Sequence, residues 1–313
     1  MKKILVTGAF GQIGSELVPE LRKKYGKENV IASGLQVSNE WSAAGPCEVI
    51  DTTKKELIEK SVAENGVDTI YHLASILSAV GEKNPQLAYF VNNTSLYNVL
   101  EVAREKKLER LMVPSSIAVF GPETPRNNTP NETILKPSTM YGISKVHGEL
   151  LGNYYYKKFG VDVRGVRFPG IISNVAPPGG GTTDYAVEIY YYAVKKEPYK
   201  CFLRSDSTLP MMYMPDALKA IIDLAEADSS KLKHRTDFNL AAMSFSPTEI
   251  TAAIQKEIPE FKVSFEPDFR QAIADSWPSS IDDRAAREEW GWKPDYDLQS
   301  MTKDMIEKLS ARL

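Results

Sequence analysis

The sequence contains little cysteine and little histidine: Cys47, Cys201 and three histidines among 313 residues. Two cysteines in unrelated surroundings exclude a disulfide framework and a Cys-x-x-Cys metal site, and they fit a reducing compartment. The histidines, at positions 72, 147 and 234, lack the spacing of metal ligands. We therefore expect a cytoplasmic protein that binds no metal.

A strong charge of one sign and a long apolar run are also missing. The formal net charge is -3, and acidic and basic residues are scattered along the chain. Because no segment is suited to neutralising a phosphate backbone, we expect no nucleic-acid partner. The first apolar run, at residues 4–6, is too short for a signal peptide or a membrane span, and no longer run follows that could cross a bilayer. With 42% hydrophobic and 25% charged residues, the composition is that of a globular protein with one large or two fused domains.

Short apolar runs alternate with helical patterns over the first half of the chain. After the first run, for example, apolar residues recur every four positions from Ile13 to Tyr25. The predicted strands cover residues 4–6, 30–32, 49–50, 69–73 and 111–113, and the predicted helices cover residues 14–25, 54–64 and 85–104. This alternation predicts an α/β fold with a doubly wound parallel sheet whose two faces are covered by helices.

A glycine-rich turn joins the first predicted strand to the first predicted helix. Gly8, Gly11 and Gly14 follow the spacing GxxGxxG. Such glycines permit a tight turn and let the backbone approach a pyrophosphate, while the start of the helix presents unpaired N–H groups and a positive dipole end. Three glycines alone also suit a plain turn, but their place between strand and helix favours a dinucleotide site of the Rossmann type.

The second predicted strand lacks the acidic residue with which a dinucleotide site usually holds the adenosine ribose. The chain reads Ala-Ser-Gly-Leu at residues 32–35. No lysine or arginine lies between Ile31 and Ile50 to bind a phosphorylated ribose, so the sequence favours NAD over NADP. Asp51, after the third strand, either meets the adenine amine or caps the following helix, and the sequence leaves both open.

Tyr141 and Lys145 are four residues apart in a predicted helix, so they share one face. An ammonium group close to a phenol lowers the phenol pKa, which lets the phenolate remove a proton from an alcohol. Ser115 and Ser116 follow the strand at 111–113, at the sheet edge where α/β folds bind ligands, and a hydroxyl there can orient a substrate oxygen. The Tyr-x-x-x-Lys pair alone is common on exposed helices; with the glycine turn and the serines it indicates a site for alcohol oxidation.

Six motifs together resemble the extended short-chain dehydrogenase/reductase family, and the match covers nearly the whole chain. They lie at residues 7–14, 73–75, 92, 115–121, 141–145 and 167–171. The resemblance implies catalysis by Tyr141, Lys145 and Ser116, the last preferred to Ser115 because it immediately precedes the Ile-Ala-Val-Phe-Gly run. Asn92 either supports Lys145 through a water molecule or the backbone, or is a plain helix-surface amide. The implied NAD contacts are Gly8, Gly11, Gln12, Ile13, Gly14, Gly34, Asp51, Leu73, Ala74, Ser75, Tyr141, Lys145, Pro169 and Ile171.

The regular alternation ends after Pro169. A Pro- and Asn-rich loop is predicted at 121–137, a strand at 163–168, and a flexible Pro- and Gly-rich segment at 177–181. We expect residues 1–175 to form an NAD-binding Rossmann domain. Residues 176–313 would form mainly a smaller C-terminal substrate-binding lobe, with some segments able to return to the first domain.

Within the family, four stretches resemble the branch that oxidises the 3-hydroxyl of L-threonine to L-2-amino-3-oxobutanoate and reduces NAD. They lie at residues 76–82, 181–189, 209–216 and 276–279. That branch usually carries aspartate where this chain has Gly34. The substrate is a small zwitterion that needs polar partners, and the implied contacts are Ser78, Ser116, Tyr141, Thr182, Thr183 and Trp277. Serines and threonines in Gly-rich loops are also common turn formers, and Trp277 also suits plain packing.

The helix of Tyr141 carries an apolar stripe that includes Ile143, Leu150 and Tyr154. Core packing explains such a stripe equally simply. In extended family members, however, this helix often joins the four-helix bundle of a dimer. The resemblance therefore implies a homodimer.

Two other functions remain open. A nucleotide-sugar epimerase or dehydratase of the same fold would need a larger pocket in the second lobe, with contacts to a diphosphate. A non-catalytic NAD-binding regulator is the other alternative. Such regulators tend to lose the tyrosine or the lysine, and this chain has both.

Overall fold

A computed structural model describes residues 1–179 and 181–313 and contains a central six-stranded sheet. The strands are β1 (Ile4–Thr7), β2 (Val30–Gly34), β3 (Cys47–Val49), β4 (Thr69–His72), β5 (Arg110–Met112), β6 (Ser115–Ser116), β7 (Val163–Arg164), β8 (Val166–Phe168), β9 (Gly170–Ile172), β10 (Tyr199–Cys201), β11 (Leu209–Tyr213), β12 (Phe238–Asn239), β13 (Met243–Phe245) and β14 (Val263–Phe265). The central sheet has the order β3-β2-β1-β4-β5-β7, and all its pairs are parallel. The predicted α/β fold with a doubly wound parallel sheet is confirmed.

The strand order reverses beside β1. The chain moves outward from β1 through β2 to β3, and then returns to place β4 on the other side of β1. Connections on the two sides of such a point diverge, so a crevice opens at the carboxyl ends of the strands. Thr7 and His72 end the two central strands in register. Side chains that follow these two residues are therefore placed at the mouth of the crevice.

Helices cover both faces of the central sheet. They are α1 (Gly14–Tyr25), α2 (Asn39–Ala44), α3 (Lys55–Asn65), α4 (Ser78–Lys83), α5 (Pro85–Glu105), α6 (Met140–Phe159), α7 (Tyr185–Val194), α8 (Met214–Glu226), α9 (Pro247–Glu257), α10 (Arg270–Asp275), α11 (Arg284–Trp290) and α12 (Leu298–Ser310). Ile4 and Val6 of β1 pack with α1 and α8, whereas Leu5 between them packs with α3 and α5, as alternation along a strand requires. None of the helices in the described ranges is long and apolar enough to cross a membrane.

The strand predicted at residues 163–168 is divided between two sheets. β7 pairs with β5 in the central sheet, whereas β8 pairs with β6 and β12. Gly165 separates them, and its N–H donates to the carbonyl of Arg235 at 2.8 Å. A Cβ on Gly165 would overlap the carbonyl oxygen of Val113, so only glycine permits this close crossing of backbones.

The second half of the chain supplies most of one hydrophobic core, to which residues 117–120 also belong, and it contributes to the core of the central sheet. β11 pairs in parallel with β9 and antiparallel with β13, and β10 pairs with β14. Helices α7, α9 and α12 pack in the same hydrophobic cluster as β11. By contrast, α8 packs on the central sheet and β12 extends β8. A division at residue 175 remains a prediction, and the packing shows that later segments do return to the first half.

Candidate active site

The glycine-rich turn after β1 is shaped for close approach of a ligand backbone. Gly8 has a φ of +69°, which L side chains rarely adopt, and a Cβ there would stand 2.6 Å from the amide nitrogen of Ala74. A Cβ on Gly14 would stand 2.6 Å from the carbonyl oxygen of Gly8. The turn therefore packs against the backbone of residues 73–74 with no room for a side chain at Gly8 or Gly14.

The start of α1 leaves backbone donors available. Ile13 is its N-cap residue and makes no side-chain capping bond. No residue in the described part of the chain accepts a hydrogen bond from the backbone N–H of Gln12 or Ile13. Free donors at a helix start, with the positive end of the helix dipole, are suited to a diphosphate. The glycine turn and the start of α1 therefore fit the diphosphate of NAD.

The predicted adenosine end of the cofactor site contains Gly34 and Asp51. Gly34 ends β2, and the ring of Phe10 occupies the space that a Cβ at this position would need. Asp51 uses its Oδ1 to accept from the N–H and the hydroxyl of Thr53, at 3.0 and 2.7 Å. Asp51 thus makes the turn that precedes α3, and its contact with adenine stays a prediction.

Ser116, Tyr141 and Lys145 line one cleft with the glycine turn. Ser116 ends β6 and caps a short 3₁₀ turn, accepting from the N–H of Ala118 at 3.2 Å. Tyr141 is the second residue of α6, whose N-cap side chain, Thr139, accepts from Gly142 at 3.1 Å. A β-strand end and a helix start thus bring the two hydroxyls together.

Burial sets the ionisation of the tyrosine–lysine pair. Loss of water raises the pKa of Tyr141 to about 12, although a hydrogen bond with the Ser116 hydroxyl opposes the rise. The same loss of water lowers the pKa of Lys145 to about 8, and the negative charge of Glu149 opposes that fall. Lys145 is not a cause of the Tyr141 shift in this arrangement: its Nζ donates to the carbonyl of Pro114 at 2.8 Å and lies 5.4 Å from the tyrosine ring centre. A lowering of the Tyr141 pKa by Lys145 during the reaction stays a prediction.

Asn92 is buried and bound to the backbone of the crevice. Its Oδ1 accepts from the N–H of Ile76 at 2.7 Å, and its Nδ2 donates to the Ile76 carbonyl at 3.1 Å. The reading of a plain surface amide is therefore wrong. Asn92 and Ala74 line a small cavity behind Lys145, next to the main cleft. Whether Asn92 supports Lys145 through water in that cavity stays a prediction.

The predicted substrate contacts converge on the same cleft. Ser78, Thr182, Thr183 and Trp277 line it, as do the predicted cofactor contacts Leu73, Ser75, Pro169 and Ile171. Thr182 is 1% exposed, and its hydroxyl has no hydrogen-bond partner in the described part of the chain. An unpaired buried hydroxyl at a cleft wall is available to a polar ligand. Trp277 also packs into the core of the second half, so both readings of this residue apply.

Helix α4 links the substrate side of the cleft to the helix of Tyr141. Ser78 is its first residue, and Glu82 near its end accepts from the backbone N–H of Met140 at 2.8 Å. Met140 is the first residue of α6. An acidic side chain thus pairs one of the free donors at the start of α6, where the helix dipole also favours a negative charge.

Sequence reasoning missed three ionisable groups of this region. His72 lines the cleft and bonds through Nδ1 to the Thr7 hydroxyl at 2.8 Å. The sequence could have indicated this position, because His72 lies at the carboxyl end of a predicted strand, where such sheets bind ligands. Asp184 lines the cleft beside Thr182 and accepts from Gly181 at 2.8 Å. Glu149, one turn after Lys145, is buried and accepts from Ser115 and Arg167.

The described residues contain no cluster of His, Cys, Asp or Glu that could hold a metal ion. The cleft combines a dinucleotide cradle with a Ser-Tyr-Lys group at the edge of a Rossmann-type sheet. These features define a nicotinamide-dependent oxidoreductase of the short-chain type.

Comparison with known proteins gives the family. Residues 4–241 match the model of the NAD-dependent epimerase/dehydratase family, and the chain belongs to that family. NAD is its cofactor. A curated relative, an uncharacterized epimerase/dehydratase of Staphylococcus saprophyticus, is 51% identical over 100% of this chain and 98% of its own length.

Solved structures extend the resemblance. An L-threonine dehydrogenase from Clostridium difficile is 54% identical, with a TM-score of 0.97 over 100% of this chain and 98% of that chain. A monomeric L-threonine 3-dehydrogenase from a metagenome is 47% identical, with a TM-score of 0.96 over 99% of both chains. The resemblance to the threonine-oxidising branch that the sequence predicts is confirmed.

Proposed function

We propose that this protein oxidises the 3-hydroxyl of L-threonine to L-2-amino-3-oxobutanoate and acts in threonine breakdown in the cytoplasm. The observation that carries the proposal is the single cleft in which Ser116, Tyr141 and Lys145 meet the glycine turn. The similarity to solved L-threonine dehydrogenases over the full length of the chain supports the choice of substrate.

Each group of the cleft has a role in this reaction. NAD, when bound, supplies the hydride acceptor. Tyr141 takes the proton of the substrate hydroxyl, and Ser116 donates a hydrogen bond to the same oxygen. A phenol with a pKa of about 12 is protonated at neutral pH, so it needs a nearby positive charge to act as a base. Lys145, with a pKa of about 8, is mostly cationic at neutral pH and supplies that charge.

The other side of the cleft suits a small amino acid. Ser78, Thr182 and Thr183 offer hydroxyls to its charged groups, and Trp277 forms a wall that limits its size. The unpaired hydroxyl of Thr182 is the strongest of these contacts, because a buried hydroxyl without a partner costs free energy until a ligand bonds to it.

The direct test is the appearance of reduced nicotinamide when the protein is mixed with NAD and L-threonine. We expect turnover with L-threonine, and none when D-threonine replaces it. Tyr141→Phe should abolish turnover and leave NAD binding intact, whereas Tyr154→Phe, an exposed tyrosine of the same helix, should leave both intact. The absence of turnover with L-threonine would refute the proposal, and epimerisation of UDP-glucose would favour the epimerase alternative.

We also propose that the protein is a homodimer. Exposed apolar side chains crowd the outer face of α5 and α6: Phe90, Tyr97, Ile143, Leu150 and Tyr154 are each 46–64% exposed. Such a patch is more typical of an interface than of a free surface. A second copy of the chain is the proposed occupant, because in extended family members the α6 helix joins a dimer's bundle. One similar solved protein is monomeric, and the molecular mass of this chain in solution distinguishes the two states.

A further inference from the structure

The end of β2 holds an aromatic ring where dinucleotide sites usually hold a carboxylate. A Cβ built on Gly34 would stand 2.7 Å from Cδ2 and 3.0 Å from Cε2 of Phe10. Phe10 belongs to the glycine turn, and its ring packs on Trp41, with 5.0 Å between the ring centres. The ring thus fills the space that an acidic side chain at position 34 would enter first.

Three polar side chains near this end already have hydrogen-bond partners. The hydroxyl of Ser33 is buried and donates to the carbonyl of Val6 at 3.1 Å. Glu48 accepts from the amide of Asn65 at 2.7 Å. The guanidinium of Arg22 donates to the carbonyls of Val30 and Pro46.

These placements remove both means by which a protein distinguishes NAD from its 2′-phosphorylated form. A carboxylate at the end of the second strand bonds to the ribose hydroxyls and repels a 2′-phosphate, while a free arginine attracts the phosphate. Gly34 supplies no carboxylate. Arg22 is 9% exposed and already donates its hydrogen bonds, so it is not free to reach a phosphate.

We propose that Phe10 replaces the missing carboxylate, and that this chain holds the adenosine ribose by non-polar contact with little discrimination between NAD and NADP. NAD remains a cofactor, and the inference adds that the 2′-phosphorylated form binds with comparable strength. Binding alone tests it, so it stands or falls separately from the oxidation of L-threonine.

The experiment measures dissociation constants of NADH and NADPH by nucleotide fluorescence at constant salt. For the natural chain we expect the NADPH constant to exceed the NADH constant by less than tenfold. For the double variant Phe10→Ala with Gly34→Asp, where the carboxylate has room, the ratio should rise at least tenfold above that of the natural chain. A hydrogen bond to a charged group and the repulsion of a phosphate are together sufficient for such a change.

Two further variants separate the causes. Gly34→Asp alone should change the ratio less than the double variant does, because Phe10 obstructs the new side chain. Leu35→Asp is the matched control: it adds the same charge one residue later, at a side chain that is 72% exposed, and should leave the ratio within threefold. A tenfold or larger preference for NADH in the natural chain would overturn the proposal. So would a folded double variant, Phe10→Ala with Gly34→Asp, whose ratio is unchanged from that of the natural chain.

Discussion

Three ionisable side chains at the cleft have pKa values displaced by burial. Tyr141 and His72 favour their neutral forms at neutral pH, and the pKa of Lys145 falls to about 8. Each shift disfavours a charge that water would otherwise stabilise. The cleft therefore stores unfavourable desolvation energy, which the rest of the fold must offset.

Replacing Lys145 by methionine should stabilise the fold while abolishing turnover. Below pH 8 the natural protein holds a partly buried cation, and its stability rises between pH 8 and about 10.5 as the folded form alone loses the proton. We expect Lys145→Met to raise the free energy of unfolding by roughly 1–3 kcal/mol at pH 7, with the gain shrinking by pH 10. Urea unfolding at both pH values measures this. Lys157→Met, at an exposed lysine of the same helix, is the control, and an equal gain there would contradict the explanation.

His72 should determine part of the acid sensitivity. Burial lowers its pKa to about 3, and the charge of Lys145 acts in the same direction. In the unfolded chain the His72 imidazole binds a proton near pH 6.5, whereas in the folded chain it stays neutral down to about pH 3. The free energy of unfolding therefore decreases as pH falls from 6.5 towards 3. In His72→Asn the slope of unfolding free energy against pH, between pH 4 and 6, should decrease by up to about 1.4 kcal/mol per pH unit. An unchanged slope would show that His72 is protonated in the folded state.

The sequence could predict that Ser116, Tyr141 and Lys145 line one cleft, but it could not predict their ionisation. The Ser116 hydroxyl bonds to Tyr141, whereas the Ser115 hydroxyl donates to Glu149 at 2.5 Å, and a catalytic role for Ser116 stays a prediction. The direction of the Tyr141 shift depends on how much protein surrounds the phenol. That burial is created by segments far apart in the chain, and local spacing carries no information about it.

At the scale of the element, α6 depends on one close backbone approach. A Cβ on Gly142 would overlap the carbonyl oxygen of Ala118 and stand 2.5 Å from Cβ of Pro137. On the same helix, a Cβ on Gly148 would meet only the end of the Leu96 side chain, at 3.1 Å. The first turn of α6, which carries Tyr141, is therefore fixed against the turn that follows Ser116.

Alanine at these two glycines should give opposite results. Gly142→Ala should destabilise the protein by about 1–3 kcal/mol and reduce turnover at least tenfold, because the helix must move. Gly148→Ala should be neutral or stabilise by up to about 1 kcal/mol, because alanine favours the helix. Urea unfolding and turnover of L-threonine measure both. Similar losses in the two variants would show that the position of the helix start does not control the reaction.

Glu82 should act as a positioning residue that fixes α4 against α6. Glu82→Ala leaves the Met140 N–H without its acceptor, so the segment that carries Ser78 becomes looser. We expect the KM for L-threonine to rise about threefold or more, with NAD binding unchanged, and faster hydrogen exchange over residues 76–84. Glu82→Gln keeps an acceptor oxygen and should be milder. If Lys83→Ala, at the exposed neighbour, has the same effect as Glu82→Ala, the hydrogen bond has no special role.

Long elements with regular spacing were predictable, and short ones were not. The helix predicted at residues 14–25 is found as α1, and Pro85–Glu105 extends the predicted helix by one residue. Helices α2 and α4 were missed, because six residues are too few to show a helical period. The break at Gly165 was missed because its cause, the carbonyl of Val113, comes from another strand.

At the scale of the whole molecule, the apolar face of α5 and α6 predicts the association state. Leu150→Glu should convert a dimer into a monomer, because a charge would then be buried at the centre of the contact. Light scattering during gel filtration measures the mass. Phe269→Glu, at an apolar residue of similar exposure outside this face, should leave the mass unchanged. A natural chain that runs as a monomer at micromolar concentration would refute the homodimer.

The return of α8 to the central sheet has a consequence for how the protein is made. A ribosome that has released only the first 175 residues has produced every strand of that sheet, yet the face that carries α1 still lacks α8. Leu17 and Val18 of α1 then lack their neighbours Ile221 and Leu224, which are synthesised later. The nascent chain therefore exposes apolar surface until more than two thirds of it has emerged. We expect chaperones to bind it most strongly in that interval.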